Sequence, residues 1–184
     1  MNTHFRNQFY IVRHGKAQNN ALSIVSCKIE TQKEYGLTEE GKEVVNNEAQ
    51  KYNDFDVIYS SPFRRAEETA LFFAKTSNCD VVLDNRLKEF DAGELDLKPY
   101  ELFHHGMKEH KDPNYIFKSG ESLSNALKRL VAFIDEVNSK SENKKILIVS
   151  HGIPCELIMD WSKGIDIRKW GKCVKNGKVF TLNS

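Results

Sequence analysis

Phe9-Tyr10-Ile11-Val12-Arg13-His14-Gly15-Lys16 is the stretch on which the reading of this chain turns. Its first four residues are aromatic or β-branched and apolar on both faces, as an interior parallel strand requires. The run then breaks at an arginine, a histidine and a glycine. Ile146-Leu147-Ile148-Val149-Ser150-His151-Gly152 repeats the pattern far downstream. Two strand-like runs that each close on His-Gly imply a sheet edge where two imidazoles meet.

Between these runs strands and helices alternate. Residues 15–36 lack periodicity and read as a long loop, which in a compact domain is often functional. Thr38 is an N-cap for a helix to about Tyr52, with Val44, Val45, Ala49 and Tyr52 near one face. Asp56–Ser60 is a second strand. Ser61-Pro62 reads as N-cap and first-turn proline of a helix reaching about Lys75. Val81–Leu83 is a short edge strand, and residues 86–120 are irregular around one short helix near 98–110. Leu123, Leu127, Leu130, Ile134 and Val137 mark the clearest helix by steps of four and three. A helix near 154–162 follows the 146–150 strand, and Asn176-Gly177 signals a type I′ hairpin before a strand at 178–182. The expected fold is α/β, with helices on both faces of a mostly parallel sheet. Residues 1–184 read as one domain, with 86–120 an insertion over the active-site edge.

Composition narrows the function classes. A chain of 184 residues can bury a substantial core without disulfides or metals. A formal net charge of +1 argues for neither nucleic acid nor an anionic membrane as partner. No apolar run approaches the roughly 20 residues of a membrane helix, and the N-terminus shows no signal peptide. Cys27, Cys79, Cys155 and Cys173 lie far apart without a CxxC pair, which favours reduced thiols and a cytoplasmic location. His104, His105 and His110 have no metal-ligand spacing, so no metal site and no cofactor is expected.

In an open α/β sheet, ligands bind at the carboxyl ends of the strands. Arg13-His14, Ser60-Ser61 and Ser150-His151 all fall there. Arg64 and Arg65 follow in the first turn of a helix, where free amides and the dipole favour an anion. Two histidines with arginines suit a tetrahedral dianion, because the guanidinium fork can donate two hydrogen bonds to phosphate oxygens. Neutral His14 can attack phosphorus covalently, with Gly15 where backbone comes close to a ligand, and with Arg13, Arg65 and a protonated His151 carrying charge. The leaving alkoxide needs an acid. Glu89, beside apolar Leu87 and Phe90, is the candidate, with Asp91 and Glu94 as rivals that spacing does not exclude.

Arg13-His14-Gly15, Ser60-Ser61-Pro62-Phe63-Arg64-Arg65-Ala66-Glu67-Glu68-Thr69-Ala70, Leu87-Lys88-Glu89 with Gly93, Gly120-Glu121-Ser122 and Ser150-His151-Gly152 together resemble the phosphoglycerate-mutase-like branch of the histidine phosphatase superfamily. The blocks agree in order and approximate spacing from residue 9 to residue 152. The resemblance implies a three-layer α/β/α sandwich and a phosphohistidine mechanism without metal. It places the nucleophile on His14, the rest of the phosphate pocket on Arg13, Arg65 and His151, the proton donor on Glu89 and a polar loop contact on Asn20. Lys16 departs from the Glu or Gln that many members carry, and adds a cation at the pocket mouth.

The expected activity is hydrolysis of phosphate monoesters of small metabolites. Phosphoglycerate mutase activity and a non-catalytic phosphate-binding module are the alternatives; the shorter chain, with less cover for a retained intermediate, favours hydrolysis. Specificity is expected from loop 16–36 and residues 94–120, where Lys98, Tyr100, His104 and His105 are available. A homodimer is compatible with the sequence, which leaves oligomeric state open.

Overall fold

The computed structural model describes residues 5–167, 171 and 174–182. Cys173 and the first four residues, which entered the thiol and signal-peptide readings, lie outside them. Gln8–Arg13 forms β1, and a single turn, Gln18–Ala21 (α1), interrupts the long loop that follows. Glu39–Ala49 is α2, capped by the Thr38 hydroxyl, which accepts from the Gly41 amide. β2 (Val57–Ser60), α3 (Arg64–Ser77) and β3 (Val81–Leu83) come next, then α4 (Tyr100–Glu109) and α5 (Leu123–Lys140). The chain continues with β4 (Lys145–Ser150), α6 (Gly152–Ser162) and β5 (Val179–Thr181).

The five strands lie in the order β3-β2-β4-β1-β5, all parallel except β5. β1 and β4 are neighbours in register, with Arg13 opposite Ser150. That register brings the two His-Gly ends side by side.

Side chains alternate across the sheet with period two, so each buried strand feeds two cores. Phe9, Ile11, Ile146 and Ile148 pack with the α5 stripe Leu130, Phe133, Ile134 and with Leu157 and Ile158 of α6. Val12, Leu147 and Val149 face the other way, onto Val45 and Ala49 of α2 and Ala66, Ala70 and Phe73 of α3. The result is the expected α/β/α sandwich. Among the described residues no helix is long and apolar enough to cross a membrane.

Three local expectations fail. α3 begins at Arg64 after an extended Phe63, two residues later than the proline suggested, because the Ser61 hydroxyl captures the Phe63 amide. Asn176-Gly177 is no type I′ turn, since only Gly177 takes a positive φ, of 66°; β5 instead pairs antiparallel with distant β1. Val44 is exposed, leaving Val45 and Ala49 to hold the face of α2.

Candidate active site

The carboxyl ends of β1, β2 and β4 converge on one buried polar cluster. His14 follows β1 with 2 % of its surface exposed, and its amide donates to the Ser150 carbonyl at 2.9 Å. Its carbonyl accepts from Asn176 Nδ2 at 2.8 Å. Nδ1 lies 2.7 Å from the Gly15 carbonyl, and a carbonyl can only accept, so Nδ1 carries the proton. The lone pair therefore sits on Nε2, which receives Arg65 Nε–H at 3.1 Å. Burial first, then the charges of Arg65 and Arg13, hold this imidazole well below its ordinary pKa. His14 is thus a neutral imidazole held in one tautomer and one orientation.

Arg65 is 1 % exposed and is fixed by three contacts, the one to His14 and two to Ser26, whose carbonyl accepts from Nη2 at 2.8 Å. Burial lowers its pKa to about 10, leaving it charged at neutral pH. Arg64 turns outward and pairs with Glu68 at 2.8 Å. The choice between the two arginines is thus decided by helix phase. At the α3 terminus the Phe63 and Arg64 amides already donate to Ser61 Oγ and Gln32 Oε1, so these two are not open to an anion. What α3 delivers is the Arg65 side chain.

Thr69, one turn on, accepts from the Gly15 amide at 3.1 Å and donates to the Arg65 carbonyl at 2.7 Å, tying nucleophile loop to arginine helix. Gly15 itself answers to packing and not to ligand approach. A Cβ there would stand 2.6 Å from Val45 Cγ2 and 2.9 Å from the Gly41 carbonyl. Arg13 reaches the Val174 carbonyl at 2.9 Å.

His151 is fully buried, its ring 5.1 Å from that of His14. Its Nε2 lies 2.7 Å from Ser61 Oγ, which already accepts from the Phe63 amide. A buried hydroxyl proton needs an acceptor, and Nε2 is the one in reach, which leaves the imidazole proton on Nδ1. Nδ1 has no partner among the described residues. Burial, and then Arg65, hold its pKa well below the usual value.

Of the three acid candidates, Glu89 alone lines the cavity in front of His14. Glu94 is exposed, and Asp91 Oδ1 accepts from the Gly93 amide at 2.9 Å. Burial raises the Glu89 carboxyl above its ordinary range, against the opposing pulls of the Phe90 amide and of Arg65 and Arg13. Its backbone is clamped from behind. Arg129 of α5 pairs with Glu121 at 2.7 Å and donates to the Glu89 carbonyl at 3.3 Å. Ser150 Oγ donates to the Leu87 carbonyl at 2.7 Å. The Gly120-Glu121-Ser122 block earns its place here. Glu121 and Asp91 exchange two hydrogen bonds of 2.9 and 3.0 Å, and a Cβ on Gly120 would strike the Asp91 carbonyl at 2.5 Å.

A cavity of about 540 Å³ is lined by Arg13, His14, Asn20, Arg65 and Glu89, whereas His151, beside His14, is not among its lining residues. Asn20 gives its Oδ1 to the Ala17 amide at 3.0 Å, which leaves its amide NH₂ as the group for a ligand. Lys16 does not come to the mouth. It pairs in solvent with Glu40 of α2 at 2.7 Å. Ser26, Asn19, Glu156 and Val174 also line the cavity, and nothing in the sequence marked them. Tyr100 and His104 are on the wall as expected; Lys98 and His105 are not, while Lys108 and Lys111 are. Among the described residues no three His, Cys, Asp or Glu side chains are grouped to hold a metal.

The family model of the histidine phosphatase superfamily, branch 1, matches residues 9–183. The chain belongs to that superfamily. It is 30 % identical over 171 residues to "Phosphoserine phosphatase 1" of Hydrogenobacter thermophilus, covering 87 % of this chain and 78 % of the relative. It is 29 % identical over 166 residues to "Probable phosphoglycerate mutase GpmB" of Erwinia tasmaniensis, covering 86 % and 75 %. The solved structure of Bacillus stearothermophilus YhfR superposes with a TM-score of 0.82 at 20 % identity, covering 95 % of this chain and 90 % of that one. The superposition shows a shared fold. The superfamily's relatives of this chain are phosphatases and phosphoglycerate-mutase-like enzymes.

Proposed function

We propose that this enzyme hydrolyses phosphate monoesters of small metabolites through a phosphohistidine on His14. The observation that carries the reading is the His14 imidazole, held with its proton on the Gly15 side and its Nε2 towards Arg65, in a cavity that Glu89, a carboxyl whose pKa burial raises, also lines. Nε2 attacks phosphorus as the ester P–O bond breaks. Arg13 and Arg65 match the charge on the equatorial oxygens, and Glu89 gives its proton to the leaving alkoxide. Water then attacks the phosphohistidine, Glu89 takes its proton back, and the P–N bond breaks to free phosphate and neutral His14. A bound dianion brings negative charge near the His151 imidazole, which draws it towards protonation.

The fold supports one domain in which residues 86–120 cover the site, since Glu89, Phe90, Tyr100 and Phe103 all reach the cavity. Free thiols at Cys27, Cys79 and Cys155 suit a reducing compartment, in keeping with a cytoplasmic enzyme.

Mutase activity is the second reading, favoured by Lys108 and Lys111 in the cavity wall, where they suit a carboxylate. Incubation with 3-phosphoglycerate and a trace of 2,3-bisphosphoglycerate separates the two. Release of inorganic phosphate is the expected result, and fast formation of 2-phosphoglycerate with little phosphate released overturns hydrolysis. Rapid-quench mass spectrometry is expected to find an acid-labile phosphate on His14. Phosphate binding that survives His14→Ala with no turnover in the parent enzyme would instead mark a non-catalytic module.

A further inference from the structure

One face of α4 is spent on the cavity. Tyr100, Phe103, His104, Met107 and Lys108 recur at helical spacing over nine residues, a wall about 12 Å long. Phe103 and Met107 continue into the apolar side chains of Ile24, Val25, Phe90, Ala92, Ile153 and Val174, with His104, Lys108, Lys111 and Glu156 as polar groups of the same cavity. They form a rigid surface. Phe103 packs against Phe90 at 6.0 Å and Phe117 at 5.7 Å between ring centroids, and Tyr100 stacks on His104 at 6.1 Å and 22°. The loop carrying Ile24 and Val25 is held to the strand of chain before α4 by three backbone hydrogen bonds, Val25 to Lys98, Leu97 to Val25 and Tyr100 to Ser23. The apolar wall therefore exists before any ligand arrives.

A three-carbon acid such as glycerate or serine finds Lys108 and Lys111 for its carboxylate but leaves the wall of Phe103, Phe90 and Met107 uncovered. A flat apolar body fills it. Resting on the phosphatase reading above, we infer that the substrate is a phosphate monoester of an alcohol bearing an apolar ring, whose phosphate sits between Arg13 and Arg65 while the ring lies on Phe103, Phe90 and Met107. The cavity volume of about 540 Å³ agrees, lying within the range of roughly 300–1,000 Å³ that holds ligands larger than a triose.

The test compares benzyl phosphate, glycerol 1-phosphate and 3-phosphoglycerate with the intact enzyme. The alcohols of the first two are of similar acidity, so leaving-group chemistry does not bias the comparison. Benzyl phosphate is expected to exceed both others in kcat/KM by about tenfold or more, the scale on which apolar pockets discriminate. Phe103→Ala is expected to reduce the benzyl-to-glycerol ratio about tenfold, through KM more than kcat. Phe103 also packs into the core, so Tyr100→Ala, at a residue 51 % exposed, gives a variant that leaves the core intact and is expected to lower the same ratio. A ratio near one, or 3-phosphoglycerate as the best of the three through Lys108 and Lys111, overturns this inference and leaves the phosphatase standing. No turnover of any ester, with no phosphate on His14, overturns the phosphatase reading and this inference with it.

Discussion

At the His14 end of the cavity His14 and Arg65 stand on a strand end and a helix start, each bound to backbone or to a neighbour, while Ser26 and Glu89 come in from loops. At the Phe103 end the walls come from segments 22–27 and 90–107, which reach the sheet only through loops. The first end is polar and fixed by directional contacts such as Arg65 to Ser26 and Asn176 to His14. The second is apolar and fixed by packing. The difference teaches that chemistry and choice of substrate reside on separate parts of the chain, and each can be perturbed alone.

The strongest challenge to this division is His14→Ala. We expect turnover of every ester to fall by at least about 10³-fold with folding retained, as circular dichroism and the phosphohistidine assay will show. Glu89→Gln comes next. Alkyl esters are expected to slow by roughly 10²–10⁴-fold and aryl phosphates, which need little protonation, by far less. The pH profile carries the same information. His14 must be neutral, so activity falls as pH drops through its depressed pKa; Glu89 must be protonated, so activity falls as pH rises through its elevated one. The acid limb lies below the ordinary histidine value, and Glu89→Gln removes the alkaline limb. A profile unchanged by that substitution assigns the acid elsewhere.

Arg65→Ala is expected to cost about 10²–10³-fold in kcat/KM for all esters alike, while Arg64→Ala stays within about twofold. Equal losses would break the helix-phase argument. Ser61→Ala sharpens a finer point, since it removes the hydroxyl that sets the His151 tautomer. A loss of about tenfold is expected, with ¹⁵N shifts of His151 moving from one protonated nitrogen to a mixture. The smallest effect belongs to Lys16→Ala, expected to change kcat/KM by less than about twofold, because its pair with Glu40 is solvent-exposed.

Much of the polar end was legible in the sequence, for a physical reason. Parallel strands buried on both faces read as unbroken apolar runs, so their ends are visible, and topology places those ends together. Arg65 over Arg64 needed the motif, because both fall in one turn. Lys16 was misplaced because adjacency in sequence says nothing about the side a residue faces. The Asn176 contact was hidden behind a turn signal: the residue is used for its side chain, which holds the His14 carbonyl, and not for its φ. Ser26 and Val174 reach the cavity from segments without periodicity, where spacing carries no information, and Glu156 reaches it from α6. The apolar wall was half legible. Residues 94–120 were expected to set specificity, but only the helical phase of α4 shows which of them do.

The paired hydrogen bonds between Asp91 and Glu121 have one further consequence. They close the cover at its neck, so that everything from Ala92 to Gly120 leaves the body and returns to it at nearly one point. A change of length within that span is contained by the neck, while Ala92, Phe103, Met107 and Phe117 still share one core with Phe9, Ile11, Ile146 and Ile148, so substitutions must keep that packing. The enzyme is thus a fixed socket with an exchangeable fitting: lineages or engineers can rewrite the fitting to admit another alcohol, while the socket goes on breaking the same bond.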